Sequence, residues 1–272
     1  TFSQMAAETL GVSYDKIIRD AMTDTDIDPF DTGAYASRQS YITGFAVREC
    51  AEKMKNQILT RASEMYDIRP EYMDIENNQI VYAHNSQVIV SLADFALASF
   101  YDMQHGRAIV AESSVNIHHN SYATGCTFAE VEVDVQTGRV TLLSCMNVHD
   151  SGKIINPLLA GGQVEGGMAM GVAFGLSEGL RYSAAGKPLN NNLLDYKIPT
   201  MMDLPDFDHE FVESVDPLGP YGNKSLGENP LCSPAPAIRN AVKNATGVAI
   251  NQIPLATQAV FEAMKKAGVI ED

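Results

Sequence analysis

The stretch FAEVEVDVQTGRVTLLSCMNVHDSGKIINPLLAGGQVEGGMAMGVAFG, residues 128–175, decides the fold class. Its first part alternates through Phe128, Val131, Val133 and Val135, turns at Gln136-Thr137-Gly138-Arg139, and resumes through Val140, Leu142, Leu143 and Val148, which reads as a long hairpin. Gly152 and Ile155-Asn156-Pro157 then lead into a helix in which Gly167, Gly171 and Gly175 fall four apart and share one face. Glycine costs about 1 kcal/mol relative to alanine inside a helix. A row of them implies close approach, either by a second backbone or by a flat ligand. Gln163, near the start of this helix, is a polar group able to hydrogen-bond what lies there, together with the free N–H groups of the first turn. A hairpin feeding a long helix makes the chain α+β, with mixed sheets and packed helices.

Toward the C-terminus, residues 190–206 read as an extended connector ending in prolines, and acidic loop residues follow. The stretch PLGPYGNKSLGENPLCSPAPAIRNA, residues 217–241, then sets Glu228 among glycine, proline and small residues, and Leu226, Gly227, Asn229, Pro230 and Leu231 bring no cation beside it. Glu228 is either a solvated loop acid or a carboxylate held in a backbone-lined turn. Ser233-Pro234 reads as an N-cap and first helical residue, opening the first of two closing helices, 234–246 and 255–267.

Toward the N-terminus, Phe2 to Leu10 has helical spacing and stops at Gly11, a short apolar strand is expected near Ile17-Ile18, and Gly44 to Tyr66 is a long amphipathic helix with Val47, Cys50, Ala51, Met54, Ile58 and Ala62 on one stripe. Met73 to Ser91 alternates around Asn77-Asn78 as a small hairpin, ahead of a helix over 92–101. Asp24, Asp26 and Asp28 have the spacing of a calcium loop, but Pro29 stands where the loop needs glycine and Tyr35 where it needs glutamate. Thr32 to Ser37 is a small-residue loop that either makes a plain surface turn or lets backbone amides approach a flat or anionic ligand. His118 and His119 are adjacent, so on a strand they face opposite ways and do not share a metal. Consecutive His149-Asp150-Ser151 cannot converge as a hydrolytic triad for the same reason.

Composition narrows the classes. With 19 basic against 34 acidic residues in 272, the net charge of −15 is spread along the chain and repels phosphate backbones and anionic membranes, so neither nucleic acid nor membrane is an expected partner. Cys50, Cys126, Cys145 and Cys232 lie far apart, without the spacing of a zinc or iron–sulfur site, and read as reduced, buried thiols of a cytoplasmic protein. The chain opens at Thr1 directly in helical sequence, which reads as a processed or incomplete piece.

Four blocks, DTGAYASR at 31–38, FAEVEVDVQTGRV at 128–140 with HDSGKIINP at 149–157, GGQVEGG at 161–167, and NNNLLDYKIPT at 190–200 with LGENP at 226–230, together resemble the molybdenum hydroxylases, the family of xanthine dehydrogenase, aldehyde oxidase and nicotinate dehydrogenase. The resemblance is to the C-terminal half of the molybdopterin-binding subunit and spans essentially the whole chain. It implies that Glu228 is the general base acting on a Mo–OH group. It also implies that Gln163, with Gly162 beside it, hydrogen-bonds near the metal, that Tyr35, Ala36 and Ser37 lie by substrate and cofactor, and that Asp150, Gly152 and Asn156 support the glutamine helix. No protein side chain is expected to ligate the metal. Two departures from the family pattern, Gly222-Asn223-Lys224-Ser225 before the glutamate block and Asn229 within it, bear on substrate selectivity.

The resemblance further implies oxidation of an N-heterocycle of the purine or nicotinate type, with molybdopterin in its cytosine dinucleotide form and molybdenum. FAD and 2Fe–2S clusters would sit on partner subunits or domains. The expected partners are a first-half molybdopterin subunit, an iron–sulfur subunit and a flavin subunit. Aldehyde oxidation or aromatic thioester reduction at the same cofactor, and a non-catalytic scaffolding role, are the competing readings. Two interleaved α+β subdomains are expected, 1–125 and 126–272, the second carrying the glutamine helix and the glutamate loop.

Overall fold

A computed structural model describes residues 1–19, 24–26, 28, 30–103, 106, 108–116 and 121–270; His118 and His119 lie outside these described residues. The chain forms two compact units, Thr1–Ser121 with Pro217–Asn223, and Tyr122–Asp216 with Lys224–Asp272.

In the second unit the long hairpin comprises β4 (Thr124–Val133) and β5 (Val140–Asp150), antiparallel with Phe128 opposite Met146 and a register shift between Glu130 and Val131. Asp134 closes its turn, accepting from Gln136 N–H at 2.8 Å and from Thr137 Oγ1 at 2.8 Å. Gly138 is required there twice over: its φ is 79°, and a Cβ would sit 2.5 Å from Thr257 O.

A third strand, β6 (Phe207–Phe211), pairs parallel to β5, with Cys145 opposite Phe207. The expectation of acidic loop residues in this region is therefore corrected. FDHEF alternates with period two, so Asp208 and Glu210 face solvent while Phe207, His209 and Phe211 turn inward.

Helix α4 (Pro157–Leu176) starts where Asn156 Oδ1 accepts from Leu159 N–H at 3.0 Å, with Pro157 in the first turn. With α5 (Pro234–Thr246) and α6 (Thr257–Lys266) it packs on the sheet around Leu142, Val164, Met168, Val172, Ile238, Val260 and Met264, all buried. Each such side chain contributes about 1.5–3 kcal/mol.

The first unit holds α1 (Phe2–Leu10), ended by Gly11 at φ 74°, and α2 (Gly44–Tyr66), entered through a π-helical turn over Gln39–Thr43 and ended by Asp67 at φ 57°. Of the expected α2 stripe, Ala51 and Ala62 are buried and Val47, Cys50, Met54 and Ile58 are half-buried. β1 (Met73–Glu76) and β2 (Gln79–Tyr82) form the hairpin turning on Asn77 and Asn78, both at positive φ. β3 (Val88–Ser91) adds to β2, and Ser91 Oγ then caps α3 (Leu92–Phe100) by accepting from Asp94 N–H at 3.1 Å.

No strand forms at Ile17-Ile18. A 3-10 turn over Tyr14–Lys16 precedes them and Ile18 is 94% exposed, because two apolar residues hemmed in by Asp15, Lys16 and Arg19 offer no face to bury. The segment 217–223 belongs to this unit through Tyr221 Oη, which donates to Met5 O at 2.8 Å, and Asn223 Nδ2, which donates to Ser40 O at 3.1 Å. The expectation of four buried thiols holds for Cys145 but fails for Cys126 and Cys232, which are exposed, with Cys50 between. Among the described residues no helix is long and apolar enough to cross a membrane.

Two stability predictions arise from the second unit. A Cβ at Gly171 would lie 2.7 Å from Leu231 O and 2.8 Å from Pro234 Cγ, whereas at Gly166 it would meet nothing within 4 Å. Gly171→Ala should cost about 1–3 kcal/mol by overpacking, while Gly166→Ala should raise stability by up to about 1 kcal/mol through helix propensity; thermal melts of the two variants that move in the same direction would contradict this. The second concerns His149, which is 1% exposed, with burial holding its pKa below the ordinary histidine value against the opposing pull of Asp150. Between the folded pKa and the unfolded value near 6.5, only the unfolded chain takes up the proton, so this contribution to stability is present above about pH 6.5 and is lost as pH falls. His149→Leu should flatten that part of the acid slope in denaturant titrations, and an unchanged slope would assign it to other groups.

Candidate functional site

Glu228 stands at the N-cap of a single 3-10 turn, Asn229–Leu231, whose Leu231 N–H donates to Glu228 O at 3.2 Å. Ser233 and Pro234 start α5 directly afterwards, as the sequence indicates. The Ser233 hydroxyl does not cap the helix: it bonds Thr127 Oγ1 at 2.6 Å, and Asn147 Nδ2 donates to the same Thr127 oxygen at 2.9 Å. Gly227 and Pro230 shape the turn but leave the Glu228 side chain exposed, so a poorly solvated carboxylate is not what this chain's fold produces at that position.

Five of the six glycines of α4 resolve into two groups, while the sixth, Gly161, faces β6, where a Cβ would lie 2.7 Å from His209 Nε2. A Cβ at Gly167 would lie 2.9 Å from Pro230 Cβ and 3.2 Å from Leu231 N, and at Gly175 it would lie 3.2 Å from Ala235 Cα. With Gly171 against Leu231 and Pro234, this face is occupied by a second backbone rather than a flat ligand. Gly162 and Gly166 lie on the helix's exposed side with Gln163, and a Cβ at either would meet nothing within 4 Å. That side has room for a planar group beside the Gln163 amide. Helix and segment advance together, Gly167 with Pro230, Gly171 with Pro234, Gly175 with Ala235, so Gln163, one turn before Gly167, and Glu228, two residues before Pro230, stand at the same end of the contact. A cavity of about 650 Å³ in this unit is lined by Met170, Phe174, Leu231 and Cys232 but by neither Gln163 nor Glu228, and it borders the Glu228 turn through Cys232, whose Sγ donates to Glu228 O at 3.8 Å.

The block around Asp150 anchors both elements. Its carboxylate accepts from Gly152 N–H at 2.8 Å, from Ser214 Oγ at 2.9 Å and from Lys224 Nζ at 2.8 Å. Burial would raise its pKa, but these donors outweigh that and hold it below the usual aspartate value. Lys224 N–H also donates to Ser151 O at 2.7 Å, and Ser151 Oγ to Ser225 O at 3.2 Å. His149 points to the other face of the strand, where neither ring nitrogen has a protein partner. Sequence reading missed Lys224, Ser214 and Thr127. Only a G-x-K spacing ahead of the glutamate marks Lys224, and nothing in the sequence marks the other two.

Tyr35, Ala36 and Ser37 belong to the first unit. Ala36 at φ 51° and Ser37 at φ 57° are consecutive non-glycine residues in the left-handed region, which persist only where surroundings over-determine them. Arg38 supplies part of that: its Nη1 donates to Asp31 Oδ1 and to Gly33 O, each at 2.8 Å, and its guanidinium lies 5.6 Å from the Tyr35 ring centroid. Tyr35 is 54% exposed.

Comparison with known proteins places this geometry. Residues 1–205 match the family model of the molybdopterin cofactor-binding domain, a span containing the 35–37 loop and Gln163 but not Glu228. The chain is 45% identical over 271 residues to the xanthine dehydrogenase molybdenum-binding subunit of Escherichia coli O157:H7, covering 99% of this chain and 36% of that one. It is 30% identical over 279 residues to the nicotine 6-hydroxylase large subunit of Paenarthrobacter nicotinovorans, covering 100% of this chain and 34% of the relative. Its fold superposes on quinoline 2-oxidoreductase from Pseudomonas putida 86 with a TM-score of 0.90 at 26% identity, over 97% of this chain and 34% of that one. The chain thus spans about a third of the length of these relatives, and its α+β architecture is theirs. It belongs to the molybdopterin cofactor-binding domain family.

Proposed function

We propose that this chain is the part of a molybdenum hydroxylase subunit that carries the proton-accepting glutamate and one wall of the cofactor site, in an enzyme that oxidises an N-heterocycle with water-derived oxygen. The observation that carries the reading is the placement of Glu228 and Gln163 at one end of the α4 glycine contact, with open helix surface at Gly162 and Gly166 beside the amide. The substrate class is supported by the names of the relatives, xanthine, nicotine and quinoline, each an N-heterocycle.

Bound molybdopterin with molybdenum, in our reading the cytosine dinucleotide form, supplies the two-electron oxidation. The protein's residues do the rest. Gln163 offers an amide donor, and Gly162 and Gly166 leave space for a group to lie against the helix. Tyr35, Ala36 and Ser37 present a fixed loop whose backbone is set by the Arg38 and Asp31 contacts. Glu228 takes the proton released as oxygen is transferred, a task for which reach is the first requirement. None of the cysteine spacings suits an iron–sulfur cluster, so 2Fe–2S and FAD are assigned to partner subunits or domains outside these residues, as is the first half of the molybdopterin site. Relatives named as a large subunit and a molybdenum-binding subunit support such a division of labour.

In the complete subunit assembled with its partners, Glu228→Gln should lower turnover by about 10²–10⁴-fold while molybdenum content and KM stay at the parent values. Steady-state kinetics paired with metal analysis checks this, and near-normal turnover would remove Glu228 from the role of base.

A further inference from the structure

The Glu228 turn is held from both sides, and the two holds differ in kind. On its C-terminal side, Pro230 to Ala235 lie on the glycine face of α4, a steric contact. On its N-terminal side, only Ser225, Leu226 and Gly227 separate Glu228 from Lys224, whose ammonium meets Asp150 at 2.8 Å with side-chain exposures of 16% and 18%. Asp150 is more than the partner of one lysine. The same carboxylate fixes Gly152, in the loop that enters α4 and so leads to Gln163, and Ser214, in the segment leaving β6. Gly152 sits at φ 67°, so its N–H is aimed by a backbone conformation that favours glycine. One carboxylate is thus a common reference for the helix carrying Gln163 and the turn carrying Glu228, beside the bonds that Ser151 makes with Lys224 N–H and Ser225 O.

A half-buried ion pair is a weak source of stability, because an apolar pair of similar volume often does as well. A carboxylate with donors from three segments has a different property: it fixes direction and distance. Leu226 and Gly227 lack side-chain polar atoms that could do this nearer to the acid. Beyond Lys224 and Ser225, Asn229 Nδ2 donating to Ser225 O at 3.2 Å carries the constraint across the turn.

We propose that Lys224 and Asp150 are positioning residues that set where the Glu228 carboxylate stands relative to the α4 helix. The inference rests on the reading of Glu228 as the proton acceptor. A misplacement on the order of 1 Å costs about 10²-fold in rate, so losing the tie should appear in turnover while leaving substrate binding intact.

The test uses the full subunit with its partner chains and compares Lys224→Met, Asp150→Asn, Lys224→Arg and Glu228→Gln by steady-state kinetics, molybdenum content and hydrogen–deuterium exchange. The expected result is a fall in kcat of about 10²-fold for Lys224→Met and Asp150→Asn, with KM and metal content unchanged. Amides of 225–231 should exchange faster while those of β4, β5 and α4 keep their protection, and Lys224→Arg should restore both readouts. Parent exchange and turnover in Lys224→Met, with Glu228→Gln inactive, would overturn the positioning role alone. Faster exchange spread over the hairpin and α4 would show a general stabilising pair and overturn it as well, as would faster exchange at 225–231 with an unaltered kcat. An active Glu228→Gln would instead bring down the reading of the base, and exchange at 225–231 would still decide whether the pair holds the turn.

Discussion

The contact of one backbone against another's helix, at Gly167, Gly171 and Gly175, is what the second unit depends on. Each glycine costs helix propensity, about 1 kcal/mol, or about 3 kcal/mol for the row. The same helix fully buries Val164, Met168 and Val172, at about 1.5–3 kcal/mol each, which outweighs that cost. The contact also has a direction. Residues 230–235 run alongside α4 from Gly167 to Gly175 in the sense of increasing residue number, so the segment begins at the middle of the helix, one turn after Gln163. Had the segment crossed the helix, Glu228 and Gln163 would have had no common end.

The sheet supplies the other half of the frame. β5 alternates so that Asn147 and His149 are buried, as is Ser151 just past the strand's end, while Asp150 is turned the other way. A slip of one residue in the pairing with β4 would exchange these sets, moving Asp150 into the interior and away from the Lys224 ammonium, so the register of the hairpin and this ion pair are one constraint. The Thr127, Asn147 and Ser233 hydroxyl and amide contacts pin that register from inside. They lie at the start of α5, directly after the Glu228 turn.

What could be read from the sequence divides along the range of the interaction. The hairpin over 124–150, the capped start of α4 at Asn156-Pro157 and the Asn77-Asn78 turn are local, each set by residues within a few positions, and each is found where the pattern puts it. The parallel pairing of β6 with β5 joins residues about sixty positions apart through a strand whose charges disguise its alternation. No local rule reports it. The Lys224–Asp150 pair, 74 positions apart, is invisible for the same reason. The glycine row was legible as a demand for close approach but not as to its occupant, since a backbone and a planar ligand remove the same Cβ. Two isoleucines at 17 and 18 misled because composition without periodicity or length carries no face.

On the proposed reading of Glu228, reach and environment are the two demands made of a proton acceptor, and the chain treats them separately. On that reading, reach is set by the glycine contact on one side and by the Asp150–Lys224 pair on the other. Environment is addressed first by removing a competitor. Lys224 is the nearest cation in sequence to Glu228, and a loose ammonium on a flexible stem four residues away would be an available partner for that carboxylate. Asp150 engages it instead. It does so with a carboxylate already oriented by Gly152 and Ser214, which raises the selectivity of the pairing over that of a lone acid. On the proposed reading, the cation beside the turn is committed to Asp150, and one interaction serves both position and charge.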